Sequence, residues 1–202
     1  MSILASDNFN RADENPLGNG VWTVAPSQDP MKLVTNAATF QTNNDSISYY
    51  SGITWPDNQY SKAKLTVDGS IGGDAGGMLV VRQSAAAHTH YRLATDHAAT
   101  NNVSISKHVA AAYTNIAQFT QAWTDGDTWE LRVQGTTISA WRNGVQVGTN
   151  QVDTSITSGS PGIGWSTPGN SMTIDDWEGG DFAAVGGFVP DEDYLIFIPS
   201  RR

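Results

Sequence analysis

Asp176 and Glu178 stand two residues apart in the run Ile174-Asp175-Asp176-Trp177-Glu178. On an extended strand both carboxylates face the same way, roughly 7 Å apart, which lies within the range spanned by glycosidase carboxylates. A solvated or ion-binding strand edge is the competing reading. The other glutamates, Glu14, Glu130 and Glu192, have no glutamate two or four residues away. Four histidines offer a second chemistry. His88 and His90 alternate on one strand face, and His97 and His108 could approach across a hairpin, which would satisfy an imidazole metal site if they converged. Nothing in the spacing demands convergence, and polar loops and strand ends are the ordinary place for histidine. No Gly-x-Ser-x-Gly elbow occurs, and Gly72–Gly77 lacks the Lys and helix of a phosphate-cradling loop.

Aromatic side chains supply a third chemistry. A flat ring covers the apolar C–H face of a pyranose while amides, hydroxyls or carboxylates take its hydroxyls. If Ile138 and Ala140 face a core, Trp141 points the other way with Thr137, Ser139 and Asn143, an unusual place for so large a ring. Alternation likewise puts Tyr60 outside with Lys62 and Lys64. Tyr49, Trp55, Tyr91 and Trp165 stand near turns, where rings could rim a shallow groove, whereas Trp22, Trp129 and Trp177 fit core positions. Outer-face rings also serve to cover a neighbouring loop or subunit.

The elements that carry these residues have a period of two. In Thr128–Gln134, Trp129, Leu131 and Val133 alternate with Thr128, Glu130, Arg132 and Gln134, as in a half-buried antiparallel strand. Tyr60–Asp68 repeats the pattern with Ala63, Leu65 and Val67 inward. Twelve further segments read as strands, from Val21–Ala25 to Met172–Glu178. Asn143-Gly144 reads as a two-residue type I′ hairpin, because both residues tolerate positive φ. The Ala-rich stretches Ser84–Ala87 and Val109–Ala112 are too short for helices and read as hairpin loops.

With 202 residues and 39% apolar content, the chain can fill a core. Its net charge of −9, with four scattered lysines, repels phosphates and argues against a nucleic-acid partner. No cysteine is present, so thiol catalysis, disulfides and cysteine zinc sites are excluded. Met1–Asn10 lacks the charge and apolar run of a signal peptide, and no apolar run reaches membrane-spanning length.

Several strings occur in a telling order: Asp7-Asn8-Phe9-Asn10-Arg11-Ala12-Asp13, Leu17-Gly18-Asn19-Gly20-Val21-Trp22-Thr23, Asn58-Gln59-Tyr60-Ser61-Lys62-Ala63, Val80-Val81-Arg82 and Tyr91-Arg92-Leu93. Gly135-Thr136-Thr137-Ile138, Asn143-Gly144-Val145, Gly159-Ser160-Pro161-Gly162-Ile163 and Ile174-Asp175-Asp176-Trp177-Glu178 follow. Together they resemble the concanavalin A-like lectin/glucanase (laminin G-like) domain of the bacterial and phage type. The resemblance implies an all-β, two-sheet antiparallel jelly-roll β-sandwich over residues 1–182. Glycanases of that fold carry a Glu-x-Asp-x-Glu strand, absent here, and Asp176 and Glu178 fall in the segment that resembles the closing edge rather than the cleft. The expectation is therefore a non-enzyme. Because the resemblance brings the first and last strands together, Asp7 or Asp13 could meet Asp175 or Asp176 around a structural Ca2+. Turn-capping by these carboxylates is the alternative.

Residues 183–202 have no counterpart in that family. Glycine pairs and Asp191-Glu192-Asp193 lead into Tyr194-Leu195-Ile196-Phe197-Ile198, an apolar run that needs cover on both faces. Phe188, Tyr194, Leu195, Ile196, Phe197 and Ile198 are thus expected to dock on another subunit, or else to complete the chain's own sheet. The function expected is a non-catalytic structural or adhesion module. It would sit in a larger assembly such as a phage decoration, fibre or attachment protein, on a virion or extracellular surface, and could hold glycans. A stand-alone carbohydrate-binding module and a diverged glycoside hydrolase are the alternatives.

Overall fold

Period-two alternation buries one row of side chains per strand, and two sheets meet over those rows. The computed structural model describes residues 1–42, 44–68, 76–95, 102–122, 124–166 and 171–182. His97, the tail from 183 onward and Gly72–Ala75 of the glycine-rich turn lie outside them. The strands in chain order are β1 (Ser2–Asp7), β2 (Trp22–Val24), β3 (Met31–Val34), β4 (Ala37–Phe40), β5 (Ser46–Tyr50), β6 (Gln59–Asp68), β7 (Gly76–Gln83) and β8 (His90–Thr95). They continue with β9 (Asn102–Val109), β10 (Ala112–Thr120), β11 (Asp127–Gln134), β12 (Thr137–Arg142), β13 (Val145–Val152), β14 (Ser160–Ser166) and β15 (Ser171–Asp181). All fourteen expected strands are present. β1 is the addition, paired antiparallel to the second half of β15.

The eight-stranded sheet runs β13-β12-β11-β6-β15-β4-β3, with β1 also on β15, and the seven-stranded sheet runs β10-β9-β8-β7-β14-β5-β2. Every pairing between these strands is antiparallel among the described residues, as in a two-sheet jelly-roll sandwich. Trp129, Leu131 and Val133 of β11, with Ala63 and Leu65 of β6, meet Leu79, Val81, Tyr91 and Leu93 of the facing sheet in one core. Trp22 and Trp177 join it as expected, packed edge-to-face at 4.8 Å. β7 is buried on both faces because Met78 and Val80 form a second cluster outside the sheet with Ala25, Ile47 and Tyr49.

Asn143 and Gly144 have φ of 50° and 79°, the I′ geometry their identities invite. The β9–β10 turn has the same geometry with unsuitable residues: Ala110 and Ala111 sit at φ 48° and 68°. A left-handed backbone brings Cβ against the following carbonyl and costs roughly 1–2 kcal/mol per residue. Two bonds hold the turn in place, Ala110 N–H to Thr89 Oγ1 (2.9 Å) and Ala111 N–H to the His88 carbonyl (2.9 Å). Replacing Ala110 by Asn and Ala111 by Gly is therefore expected to stabilise the fold by about 1 kcal/mol. The check is a higher denaturant midpoint at unchanged slope.

Candidate functional site

The outer face of the eight-stranded sheet carries a ladder of side chains set by register. Across one row stand Gln146 (β13), Trp141 (β12), Glu130 (β11), Lys62 (β6), Glu178 (β15) and Ser6 (β1), each opposite the next. The adjoining row places Ser139 opposite Arg132, and Arg132 opposite Tyr60, with Gly180 and Ile3 beyond. Gly180 is required there: a Cβ would strike the Ser2 carbonyl and, at 2.5 Å, the Tyr60 ring.

Two hollows open on this face and share Met1 and Arg132. One, of about 480 Å3, is lined by Ile3, Tyr60, Lys62, Glu130, Asn143 and Glu178 among others. Its neighbour, of about 310 Å3, is lined by Thr137, Ser139, Trp141, Gln146, Asn150 and Phe182. Arg132 forms the divide. Its guanidinium lies 3.7 Å from the centre of the Trp141 ring and 5.8 Å from that of Phe182, and donates to both oxygens of Glu130 (2.7 and 2.9 Å). Lys62 donates to Glu178 at 2.8 Å. Both carboxylates that border the larger hollow are thus charge-compensated. The Trp141 indole N–H donates to Ser139 Oγ (2.9 Å), which fixes the half-buried ring upright.

Trp141, Tyr60 and Asn143, expected on this face from alternation, come together here. Tyr60 nonetheless differs in exposure: only 3% is accessible, because β1 and Phe182 cover it. Burial, then the charges of Glu178, Glu130 and Asp181, push its hydroxyl up to about 12. Asn143 is occupied by the hairpin, accepting from Thr128 N–H and donating to Asp127. Arg132, Glu130 and Lys62 form the centre of the groove, although the sequence marked them only as a wet outer row. Their meeting depends on β6 pairing with β11, a contact between distant segments.

Three other platform candidates are corrected. Trp55, Tyr91 and Trp165 are buried in the core, since each ring packs inward. The Trp55 indole donates to the Tyr50 carbonyl (2.7 Å), and Trp165 stacks on Phe40 at 4.8 Å. The Tyr91 hydroxyl donates to Asp153 Oδ1 (2.7 Å) and accepts from Ile156 N–H (3.0 Å). Tyr49 is buried as well, in the outer cluster of the seven-stranded sheet. Proximity to turns misleads for Trp55 and Tyr91 because the polar tip of each ring finds a partner at the core's rim.

Of the acidic groups singled out for calcium, Asp7, Asp13 and Asp175 are engaged in hydrogen bonds within the protein. Asp7 accepts from Phe9 N–H (2.8 Å), Arg11 (2.6 Å) and the Trp22 indole (2.8 Å), and the Arg11 cation compensates its charge. Asp13 accepts from Thr35 N–H (2.9 Å), and Asp175 from Asp176 N–H (2.8 Å). Asp7 and Asp176 border one hollow, but no three acidic groups among the described residues bring ligand oxygens together. Burial raises the Asp175 carboxyl, with the Asp176 and Asp7 charges adding to it. The Asp176–Glu178 strand geometry is corrected too. A register shift lies between Asp175 and Glu178, and Asp176 has φ 49°, which breaks the alternation the pair relied on.

Of the histidines, His88, His90 and His108 do converge, on the outer face of the seven-stranded sheet. Ring centres are 4.2 Å apart for His88 and His108, 5.1 Å for His88 and His90, and 5.0 Å for His90 and His108. Burial lowers all three; Arg92 adds to it for His88, the other two rings and Arg92 for His90, and Arg92 and the His88 ring for His108, which falls to about 4. The signal available in the sequence was only the His88/His90 alternation. The remainder comes from His90 standing opposite His108 in the β8–β9 register.

No family model matches the chain, and no curated protein matches it by sequence. Solved structures do match it in three dimensions. A protein of unknown function with a galectin-like fold from Bacillus subtilis superposes with a TM-score of 0.64 at 10% identity, over 90% of this chain and 96% of that one. The carbohydrate-binding module CBM66 from Bacillus subtilis gives 0.63 at 15% identity, over 78% and 94%. The exoplasmic/lumenal domain of VIP36, in its Ca2+/Man-bound form, gives 0.61 at 9% identity, over 81% and 84%. At such identities the likeness is one of fold, a galectin-like, concanavalin A-like sandwich. The narrower likeness to the bacterial and phage type is carried by the sequence strings alone. Among the described residues, no helix is long and apolar enough to cross a membrane.

The Tyr91 contact has a measurable acid signature. Burial alone would raise the Asp153 carboxyl, but bonds from Lys107, Tyr91 and Ser155 outweigh it and hold the group far below its ordinary value. A depressed carboxyl stabilises the fold above its unfolded pKa of about 3.9, and that contribution is lost as pH falls below it. Asp153→Asn is expected to lower the melting temperature clearly at pH 7. Melting curves from pH 7 to pH 2 should show the gap to the parent protein narrowing below about pH 4.

Proposed function

We propose that this chain is a non-catalytic carbohydrate-binding domain that takes a neutral glycan in the groove divided by Arg132. The observation that carries the reading is the Trp141 ring. It is large, half-buried and rotationally fixed, on an outer sheet face among Thr137, Ser139, Gln146 and Asn150. A ring bordered by hydroxyls and amides suits a sugar's two kinds of surface, its C–H face and its hydroxyls. Alternating charges further along the Trp141 row, Glu130, Lys62 and Glu178, favour a polyol over a polyanion. Two similar structures carry carbohydrate in their descriptions, one as a binding module and one as a mannose-bound domain. Sugar contact in this proposal is direct and not bridged by calcium, because Asp7, Asp13 and Asp175 are already hydrogen-bonded within the protein.

One observation favours a second reading. Glu130 and Glu178 border the same hollow, as the two carboxylates of a glycosidase would. Their engagement with Arg132 and Lys62 supports binding over hydrolysis. The assembly-subunit expectation, virion included, rests on the apolar tail, which lies outside the described residues, and the similar structures add nothing to it.

Titration of oligosaccharides found on a glycan array is expected to give saturable binding, weakened about tenfold by Trp141→Ala with the fold intact by circular dichroism. Equal affinity in that variant, or a blank array with folded protein, would refute the reading. Release of reducing sugar that Glu178→Gln abolishes would establish the hydrolase instead.

A further inference from the structure

We propose that His88, His90 and His108 form a binding site for one divalent transition-metal ion of the imidazole-preferring kind, Zn2+, Ni2+ or Cu2+. The site is separate from the groove, on the opposite sheet, and does not depend on the glycan reading.

One ring nitrogen from each histidine lies within 4.8 Å of the other two. His90 Nε2 and His108 Nδ1 are already 3.3 Å apart. Tetrahedral zinc with Zn–N bonds of about 2.0–2.1 Å sets its nitrogens roughly 3.3 Å from one another, so closure on an ion needs ring movements of about 1 Å. Nitrogen donors select first-row transition ions over calcium or magnesium, which take oxygen.

The polar groups left over point to the same conclusion. His90 is fully buried, yet its Nδ1 has no hydrogen-bond partner, and the same holds for His88 Nε2 and Gln28 Oε1. Buried polar atoms are nearly always paired, and an unpaired one costs about 1–3 kcal/mol. An ion held by His90 Nε2, His108 Nδ1 and His88 Nε2 would pair the unpartnered His88 nitrogen, with Gln28 Oε1 or water in its fourth position; His90 Nδ1, the other nitrogen of its ring, is not a ligand in that arrangement.

The surroundings hold the cluster in place. His88 lies on the loop that the β9–β10 turn grips, its carbonyl accepting from Ala111 N–H while Thr89 Oγ1 accepts from Ala110 N–H. The two left-handed alanines are thus strained at the site itself, a common location for stored strain. From the other side, the segment from Ala25 to Asp29 leaves and rejoins β5 at Ile47 and sets Gln28 Nε2 3.3 Å from His88 Nδ1. The nearby charges are Arg92 and Asp45, 3.8 Å apart, which offset each other. Arg92 also donates to Ser106 Oγ and Met78 Sδ and lies over the Tyr113 ring. An ion here would pin the β9–β10 hairpin and the Gln28 segment to one face of the sheet.

The test uses the full chain without an affinity tag, stripped with EDTA. Calorimetric titration with Zn2+ is expected to show one ion per chain, with a rise in melting temperature that EDTA reverses. Co2+ should give the intense visible bands of a tetrahedral nitrogen-ligated site. His88→Gln, on the loop, should keep the fold and weaken Zn2+ binding by roughly 100-fold or more. His108→Gln should do the same, and the His88 variant decides the matter if the His108 variant does not fold. Absence of Zn2+ binding at millimolar concentration would overturn the proposal, as would binding unchanged by His88→Gln.

Discussion

The guanidinium of Arg82, 3% exposed, donates to three carbonyls drawn from three parts of the chain. Asp57 accepts at 3.0 and 2.9 Å, Gly135 at 2.8 Å and Ile156 at 2.6 Å. Its backbone N–H donates to Gln59 Oε1, whose amide nitrogen returns bonds to the Pro56 and Gly159 carbonyls. A charge buried this deeply is costly unless its donors are satisfied, and burial accordingly lowers its pKa, though from a value so high that it stays protonated. Arg82 ends β7 of one sheet, while Asp57 precedes β6 and Gly135 turns β11 into β12 of the other. One side chain thereby ties the two sheets together at this end and sets β6 beside β11. The meeting of Tyr60, Lys62, Glu130 and Arg132 follows from that placement. Arg82 holds φ at 54°, a strain its hydrogen bonds sustain.

The two outer faces of the sandwich have different characters for related reasons. On the eight-stranded sheet the outward rows are charged or aromatic and stay open, so they form a groove. On the seven-stranded sheet Met78 and Val80 face outward, and burying them requires the chain to cross back over its own sheet with Ala25. That covering segment brings Gln28 to the histidines. An apolar pair on the wrong side of β7 is thus the origin of a closed polar pocket.

Alternation made the strands legible, and with them the fold: the rows of β6 and β11 and the Asn143–Gly144 turn could be read residue by residue. Trp22, Trp129 and Trp177 lie in the core that their spacing suggested. What alternation cannot supply is which row faces in when both rows hold large side chains. In β8, Tyr91 alternates with His90 and Arg92, and only the packing of the facing sheet decides that the tyrosine goes inward. β1 was illegible because Ser2-Ile3-Leu4-Ala5-Ser6-Asp7 is largely exposed and acquires its identity from β15. The site was half-legible for similar reasons: Trp141 could be singled out from its own strand, whereas its neighbour Arg132 needed the pairing of distant segments.

β15 is long enough to pair with β4 near its start and with β1 over its second half, placing Ser2 opposite Asp181. Adjacent strands lie about 4.8 Å apart, so the first and last described strands end at nearly the same point. Ser2 and Asp181 thereby share one edge of the sandwich, a common stalk beside Met1 and Tyr60. That arrangement suits the domain to circular permutation, since a short linker across the stalk could join the ends and new termini could open at an exposed hairpin elsewhere.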